Sequence, residues 1–436
     1  MIQRERERTP VALVAHGRSD ERSAAWLLCV VHGDSAGQRL SVPADGLVLG
    51  RQSGDGVTVL SETEASRRHC GFELNAEGEL TVRDLESTNG TWVNGRRVTA
   101  ARLSVGAILR VGRTLLVVSK EGAVPTPGRS PLLGTSPAIE EVRRLVRLSA
   151  PSSLPVLILG QTGTGKELVA SGLHEASGRR GAFVAVNAAA LPASLVESAL
   201  FGHRRGAFTD ARTDEPGAFV RAHEGTLFLD EIGEMPQEAQ AKLLRTLETG
   251  EVLPVGASRP VKVTVRVVAA THRTATGQGA ALREDLYARL AGVVIRTPPL
   301  ADRREDILPL FRAFLGPQAA QPVSVDFAEA LLFHGWPRNV RELKRVAERL
   351  TLLAGAEPLW ERHHLGPDFD ALTTSASDDD ADDGATANMD SDHPWPPTRE
   401  SLVALLDACD GNVSLAAERV GRNRKQIYRW REKFGV

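Results

Sequence analysis

The sequence lacks the features that mark secreted and membrane-spanning proteins. Its 436 residues include three cysteines, Cys29, Cys70 and Cys409, which are too few and too far apart for a disulfide framework or a zinc site. The first residues, MIQRERERTPVALV, are highly charged and contain no apolar core like that of a secretory signal. No apolar run approaches the roughly 20 residues that a membrane-spanning helix requires. These absences predict a cytoplasmic protein without a membrane partner.

A strong charge of one sign is also lacking, since the formal net charge is -2 at pH 7. The charge is nevertheless unevenly distributed along the chain. Residues 366–397 contain many aspartates, neither lysine nor arginine, and little apolar surface to bury. This composition predicts a disordered acidic linker, which we interpret as a spacer.

Changes in composition divide the chain into several predicted domains. Behind a charged tail at residues 1–25, short apolar runs broken by Gly, Asn and Asp over residues 26–119 favour an all-β sandwich. Residues 120–131 form a linker rich in Pro and Gly. Strand-like runs alternate with helical stretches over residues 132–365, which favours an α/β domain with a parallel sheet covered on both faces. Residues 398–436 show helical periodicity with clustered Arg and Lys, which favours a small all-α domain.

A phosphate-binding loop follows the apolar strand PVLIL. It consists of Gly160, Gln161, Thr162, Gly163, Thr164, Gly165, Lys166 and Glu167. The glycines let backbone amides surround phosphates at the positive end of the following helix, where Lys166 is expected to contact the terminal phosphates. Glu167 replaces the usual Ser or Thr, so magnesium loses that hydroxyl ligand. A Gly-rich turn without a ligand is the alternative, but strand, lysine and helix together favour a nucleotide site.

Two carboxylates end a second apolar strand, GTLFLDE. Asp230 is suited to hold Mg²⁺, directly or through water, and Glu231 is suited to polarise the attacking water. Two acids at the end of a strand would alone be read as solvated caps. Their position downstream of a phosphate loop favours ATP hydrolysis.

Residues 132–365 resemble the central AAA+ domain of sigma-54-dependent activators. The matching stretches stand in the family's order: GTSPAI, GQTGTGKELVA, FVAVNAAAL, ALFGHRRGAFTDA, GTLFLDEIGEMP, REDLYARL and WPRNVREL. The resemblance implies a P-loop ATPase with a helical lid. It also implies a homo-oligomer, dimer to hexamer, that uses ATP and Mg²⁺ to remodel sigma-54 RNA polymerase for promoter opening.

The same resemblance assigns roles to further residues. Asn187 matches the switch residue, whose amide holds the catalytic glutamate away from water until ATP is sensed. Arg283 and Arg289 match the arginine fingers, which make hydrolysis depend on a neighbouring subunit. Arg341 matches the arginine that reads the nucleotide from the lid. Without the resemblance, these residues would be read as a capping Asn and solvated arginines.

Three positions near the nucleotide site depart from the family pattern. Gln161 stands where an acidic residue is usual, His272 occupies the sensor position where Asn is expected, and Arg338 replaces a turn glycine. A neutral histidine still donates one hydrogen bond, and a histidine near phosphate is able to change the pH response. No core catalytic group is lost, so ATPase activity is still expected.

A loop that matches the family's GAFTGA loop, which grips sigma-54, consists of Gly206, Ala207, Phe208, Thr209, Asp210 and Ala211. Phe208 and Thr209 are the contacting types, although a Phe folded into its own domain is the alternative. Asp210 replaces the second glycine and adds a negative charge near the tip. This departure leaves open an ATP-dependent DNA-binding regulator that does not use sigma-54.

The N-terminal part contains four short motifs: LGR (49–51), SRRH (66–69), STNGT (87–91) and VNG (93–95). In these motifs and in their order it resembles the forkhead-associated (FHA) domain. The implied phosphothreonine-binding residues are Arg51, Ser66, Arg67, Thr88 and Asn89. The arginines and hydroxyls suit a phosphate, the asparagine suits the ligand backbone, and His69 is assigned to bracing the loop. The implied partner is a phosphothreonine protein or a Ser/Thr kinase. A turn-rich sandwich with surface arginines is the alternative, and a non-enzymatic, DNA-bound phosphothreonine adaptor is a rival function.

The C-terminal segment resembles a Fis-type helix-turn-helix. Two helical stretches are joined by a glycine turn, and apolar spacing in the second leaves four side chains facing outward: Arg424, Lys425, Tyr428 and Arg429. These residues are expected to bind DNA at upstream, enhancer-like sites. The alternative is a basic amphipathic helix packed elsewhere. The predicted fold class is therefore multidomain: an all-β FHA sandwich, an α/β AAA+ domain with a helical lid, and an all-α helix-turn-helix.

Overall fold

The computed structural model describes residues 25–52, 57–121, 131–208, 211–272, 281–367, 369, 402 and 403. The described residues from 25 to 369 belong to one compact unit. No helix in the described part of the chain is long and apolar enough to cross a membrane. Nearly all of the predicted charged tail, of the acidic linker and of the helix-turn-helix domain lies outside the described residues, as do Thr209 and Asp210.

Two sheets form the N-terminal β-sandwich. Its strands are β1 (Trp26–His32), β2 (Arg39–Val42), β3 (Leu47–Gly50), β4 (Val57–Val59), β5 (Cys70–Leu74), β6 (Leu80–Asp84), β7 (Thr91–Val93), β8 (Arg96–Val98), β9 (Ala100–Leu103), β10 (Ile108–Val111) and β11 (Thr114–Lys120). One sheet has the order β2-β1-β11-β10-β7-β8 and the other β4-β3-β5-β6-β9. All pairings are antiparallel except that of β3 with β4. The predicted all-β sandwich is confirmed.

An α/β domain follows. Its elements are α1 (Pro137–Ser149), β12 (Val156–Leu159), α2 (Lys166–Ser177), β13 (Phe183–Asn187), α3 (Ala193–Phe201), β14 (Gly202–His203), β15 (Glu215–Pro216), α4 (Ala218–Arg221), β16 (Thr226–Asp230), α5 (Gln237–Thr249), β17 (Glu251–Val252), β18 (Val261–Lys262), β19 (Arg266–Thr271), α6 (Glu284–Leu290) and β20 (Val293–Arg296). The main sheet has the order β13-β16-β19-β12-β20, and every pairing in it is parallel.

The central strands of this sheet are apolar at successive positions because both faces are covered. In β12 and β16, Leu157 and Leu227 enter the core on one face, whereas Ile158 and Phe228 enter the core on the other. Parallel pairing brings the carboxyl ends of all five strands to one edge, where a ligand site is expected in an open α/β sheet.

The helical lid, residues 300–367, contains α7 (Ile307–Phe314), α8 (Val325–Phe333) and α9 (Asn339–Ala354). Helix α8 begins after Ser324, whose hydroxyl accepts a hydrogen bond from the backbone N–H of Phe327 at 3.2 Å. The lid's aromatic core includes Phe311 and Trp360. The predicted α/β domain with a helical lid is thus confirmed.

The β-sandwich packs directly on the helical lid. Strands β1, β10 and β11 bury both of their faces: Leu28 and Leu116 point into the sandwich, while Cys29, Ile108 and Val117 join the core of the lid at α7 and α8. Burial raises the pKa of the Cys29 thiol above its usual range. The two domains therefore share one hydrophobic core.

Replacing Ile108 with Asp places an unpaired carboxylate in this shared core, which costs on the order of several kcal/mol. Cys29 can react only when the two domains separate, and each 1.4 kcal/mol changes the equilibrium between the packed and separated states about tenfold. Iodoacetamide is therefore expected to label Cys29 at least about tenfold faster in Ile108→Asp than in the wild type. Cys70 provides the control, because it lies in the inner core of the sandwich. Mass spectrometry of the labelled peptides measures both rates.

An unchanged labelling rate of Cys29 would contradict the shared core. Equal acceleration at both cysteines would show instead that the sandwich itself had unfolded, in which case Ile108→Ala repeats the test with a smaller perturbation.

Candidate functional site

The predicted nucleotide site lies at the carboxyl edge of the parallel sheet. The phosphate loop (residues 160–167) joins β12 to α2, Asp230 ends β16, and His272 directly follows β19. Asn187 ends β13 and pairs in register with Asp230. Residues separated by more than one hundred positions are therefore brought to one edge.

Close packing explains two glycines of the phosphate loop. Gly163 has φ +80°, and a Cβ there would stand 2.2 Å from the carbonyl oxygen of Arg338. A Cβ on Gly160 would stand 1.9 Å from Oγ1 of Thr297. A larger residue at Gly163 would push the loop away from the lid, and one at Gly160 would collide with the residue that follows β20.

Lys166, at the first turn of α2, is almost fully buried. Its ammonium donates hydrogen bonds to the carbonyl oxygen of Gly160 at 3.0 Å and to Oε1 of Glu231 at 3.2 Å. The lysine thus joins the phosphate loop to the end of β16, and its contact with the terminal phosphates stays a prediction.

Glu231 adopts a left-handed backbone conformation with φ +50°, which turns its side chain back to the phosphate loop. Its Oε2 accepts hydrogen bonds from Nδ1 of His272 at 2.6 Å and from the backbone N–H of the same residue at 3.2 Å. Burial alone would raise the pKa of Glu231, but His272 and Lys166 together hold it below its usual range.

Burial and the neighbouring charge of Glu231 raise the pKa of Asp230 above its usual range. The two adjacent carboxyl groups therefore have pKa values displaced in opposite directions, an arrangement common where two acids have different roles.

Asn187 is engaged locally. Its Oδ1 accepts a hydrogen bond from the backbone N–H of Ala189 at 2.9 Å and caps a short 3₁₀ helix. The described hydrogen bonds to the Glu231 carboxylate come from Lys166 and His272. In this arrangement Asn187 acts as a capping residue, and its role as the switch residue stays a prediction.

Asn339, which sequence reasoning did not single out, links the lid to the phosphate loop. Its Nδ2 donates to Oε1 of Gln161 at 3.1 Å and to the carbonyl oxygen of Thr162 at 3.0 Å, and its Oδ1 accepts from the N–H of Leu300 at 2.7 Å. Its backbone is left-handed, with φ +50°, and it is fully buried. An Asn directly before a helical run was the available signal, because Asn tolerates this conformation.

The predicted arginines lie in two places. Arg341 borders the phosphate loop, because a Cβ added to Gly163 would stand 3.1 Å from the Cβ of Arg341. Arg283 pairs with Asp285 at 2.8 Å, and Arg289 donates to the carbonyl oxygen of Leu247 at 3.0 Å. The hydrogen bonds of the two predicted arginine fingers thus go to α6 and α5 rather than to the phosphate loop.

The GAFTDA loop (residues 206–211) begins beside the β17–β18 hairpin. Arg204 donates its backbone N–H to the carbonyl oxygen of Val255 at 3.0 Å, just before the loop. Phe208 is 37% exposed, and its ring centroid lies 4.8 Å from that of His203. The phenylalanine is therefore neither free in solvent nor part of the core.

The loops of the β-sandwich bring the predicted phosphothreonine residues together. The hydroxyl of Ser66 accepts from the N–H of Thr88 at 3.0 Å, and the carbonyl of Ser66 accepts from the N–H of Arg51 at 3.0 Å. Arg51 and Arg67 are exposed. His69 accepts from the N–H of Ser66 through Nδ1 at 3.1 Å and contacts the carbonyl of Gly90 through Nε2 at 3.2 Å, so it braces the loop as expected.

Three models of known families match parts of this chain. Residues 132–296 match the profile described as "Sigma-54 interaction domain". Residues 301–382 match "AAA+ ATPase lid domain", and residues 47–112 match "FHA domain".

Individual relatives are regulators. ZraR of Klebsiella oxytoca is 42% identical over 306 residues, which cover 68% of this chain and 67% of the relative. NtrC of Azospirillum brasilense is 50% identical over 236 residues, 52% of this chain and 49% of the relative. The chain thus spans about half the length of this and similar NtrC relatives. NtrX of Brucella abortus, solved in complex with ATP, is 32% identical with a TM-score of 0.50, over 71% of this chain and 70% of that structure.

The Glu231–His272 contact predicts a shift in pH dependence. His272→Ala removes a hydrogen bond that stabilises the ionised carboxylate of Glu231. Burial, which favours the neutral carboxyl group, then raises the pKa of Glu231. Because only the ionised carboxylate can accept a proton from water, the acid limb of ATP hydrolysis is expected to move to higher pH. The measurement is kcat from mildly acidic to neutral pH.

His272→Asn, which keeps a side-chain donor, is the matched control and should restore most of the acid limb. An acid limb at the same pH in wild type and His272→Ala would contradict the assigned contact.

Proposed function

Since the chain belongs to the family of sigma-54-dependent transcriptional activators and carries an FHA domain, we propose that it hydrolyses ATP in an oligomeric ring. The released energy would remodel sigma-54 RNA polymerase for promoter opening. The observation that carries the proposal is the contact of Lys166, in the phosphate loop, with Glu231 at the end of β16. We place this activity in the cytoplasm.

Lys166 and Glu231 give the chain's own part in the reaction. A phosphate oxygen in the loop would attract the ammonium of Lys166 away from the carboxylate, and Glu231 would then have one oxygen free for water. His272 would continue to hold the other oxygen at 2.6 Å. Binding of the triphosphate would thus release the base that acts on water.

Asp230 fits a magnesium site. It is a half-buried carboxylate at the mouth of the phosphate loop, and its raised pKa reflects burial and a neighbouring carboxylate, both of which a cation relieves. Magnesium would supply charge neutralisation of the phosphates. Glu167 offers no hydroxyl, so Asp230 would be the main protein contact.

Arg283 and Arg289 would act on the nucleotide of a neighbouring subunit, since their own contacts lie on α5 and α6. Arg341 and Asn339 would report the nucleotide to the lid of the same subunit. Asn187 would restrain Glu231 only after leaving its bond to Ala189. These roles make hydrolysis depend on a homo-oligomer, dimer to hexamer.

The flanking parts would supply control and targeting. The FHA site would bind a phosphothreonine on a partner protein or Ser/Thr kinase through Arg51, Ser66, Arg67, Thr88 and Asn89. The C-terminal residues Arg424, Lys425, Tyr428 and Arg429, which lie outside the described residues, would bind upstream DNA.

A second function is favoured by one observation, the aspartate at position 210 in place of the glycine of the GAFTGA loop. It would be an ATP-dependent DNA-binding regulator that does not contact sigma-54.

Glu231→Gln is expected to lower ATP hydrolysis at least about 100-fold, the usual effect of losing a general base, while ADP binding persists. Glu238→Gln is the matched control, because Glu238 is exposed on α5. Steady-state hydrolysis and ADP affinity would be measured for both. Background hydrolysis in the wild type, equal to that of Glu231→Gln, would instead support a non-enzymatic phosphothreonine adaptor.

Phe208→Ala should leave ATP hydrolysis within about twofold and abolish transcription from a sigma-54 promoter in a purified system, because the loop contacts the polymerase and not the nucleotide. Asp210→Gly is tested beside it. Transcription by the wild type supports the leading function, whereas transcription by the glycine variant alone favours the regulator that does not use sigma-54.

A further inference from the structure

We infer that phosphothreonine binding and nucleotide binding are coupled within a single subunit, through the docking of the β-sandwich on the helical lid. The inference rests on the proposed function only for the identity of the two ligands. It adds a route that needs neither ring assembly nor the GAFTDA loop.

The apolar contact fixes the two domains to each other. Cys29 and Val31 of β1, with Leu115 and Val117 of β11, enter the same core as Phe311 of α7 and its neighbours. Interiors of this kind are close-packed, so one domain cannot shift without the other responding.

Polar contacts around this core define one orientation. Arg110 lies 3.2 Å from Asp326 and 3.3 Å from Glu329, both on α8. The buried hydroxyl of Ser119 donates to Glu305 at 3.0 Å. Burial raises the pKa of Glu305 above its usual range. Buried polar pairs of this type favour a single arrangement over sliding.

Glu62 connects the phosphothreonine loops to this interface. Its Oε2 accepts from the N–H of Arg113 at 3.2 Å and from the hydroxyl of Thr114 at 3.1 Å, at the start of β11. Its Oε1 accepts from the N–H of Glu64 at 3.0 Å, and the carbonyl of Glu64 accepts from Nδ2 of Asn89 at 2.7 Å. A predicted ligand-binding side chain is therefore three hydrogen bonds away from the strand that packs on the lid.

The lid continues the connection to the nucleotide. Asn339, at the start of α9, bonds to Gln161 and Thr162 of the phosphate loop. Leu343 of the same helix belongs to the core that also contains Leu115 of β11. Each step between the two ligand sites is thus a hydrogen bond or a packed side chain.

Coupling between two binding sites is reciprocal, and is typically about 5–150-fold in affinity. ADP is therefore expected to change the affinity for a phosphothreonine ligand at least about fivefold, in a direction that the measurement determines. The same factor should describe the effect of the phosphopeptide on ADP. Because the route lies inside one chain, the factor should not depend on protein concentration.

The experiment uses the full-length protein and a degenerate, fluorescent peptide pool with one fixed phosphothreonine. Its dissociation constant is measured by anisotropy with and without saturating ADP, at several protein concentrations whose oligomeric state is known from light scattering. The unphosphorylated pool serves as the ligand control.

Glu62→Ala is the test variant and Glu73→Ala the matched control, because Glu73 is an exposed residue of β5. The ratio of peptide affinities with and without ADP should be about one in Glu62→Ala and should keep its wild-type value in Glu73→Ala. A variant that only damaged the peptide-binding loops would bind the peptide more weakly, but its affinities with and without ADP would still differ. Should Glu62→Ala fail to fold, Thr114→Val removes one of the hydrogen-bond partners of Glu62 and should bring the same ratio closer to one.

Two outcomes overturn the inference alone: both ligands bind the wild type independently, or the ratio changes only when the protein assembles. A ratio that persists in Glu62→Ala rejects the proposed route. Absence of ADP binding or of phosphopeptide binding in the wild type would overturn the proposed function, and the inference with it.

Discussion

Burial of the outer face of the β-sandwich against α7 and α8 is the constraint on which the arrangement of the chain depends. Without it, Cys29, Ile108 and Val117 would form an exposed apolar patch, and the core of the lid would be open on the same side. The lid also bears Asn339, which holds the phosphate loop. Packing far from the nucleotide site therefore helps to position its phosphate-binding backbone.

The nucleotide site depends on a second constraint, the low polarity around two adjacent carboxyl groups. Burial opposes ionisation of both, but Glu231 has Lys166 and His272 as partners, whereas Asp230 has a neighbouring negative charge. The two groups thereby become chemically different although they are adjacent in sequence. This difference suits Asp230 to binding a cation and Glu231 to accepting a proton.

Motifs predicted the local chemistry, and the sequence also contains a sign of the docking. The phosphate loop, Asp230 and Glu231 could be placed because strand, loop and helix are continuous in sequence. The contact of His272 with Glu231 and the bridge from Asn339 could not, because they join distant segments. The runs LLCVV and LLVV lack the alternation of a half-exposed strand, and such runs indicate burial on both faces. If these two runs are interpreted only as strands of a sandwich, burial of their second face has no explanation.

The size of the coupling limits how control can operate. A ligand shifts an equilibrium only by its difference in affinity for the two states, and moving it from 1:99 to 99:1 requires a factor of roughly 10⁴. Coupling between two binding sites typically changes affinity by a factor of about 5–150, which is well below that requirement. One subunit would then be biased rather than switched. A sharp response would have to arise where several biased subunits hydrolyse ATP together, which is the arrangement that arginine fingers acting between subunits would require.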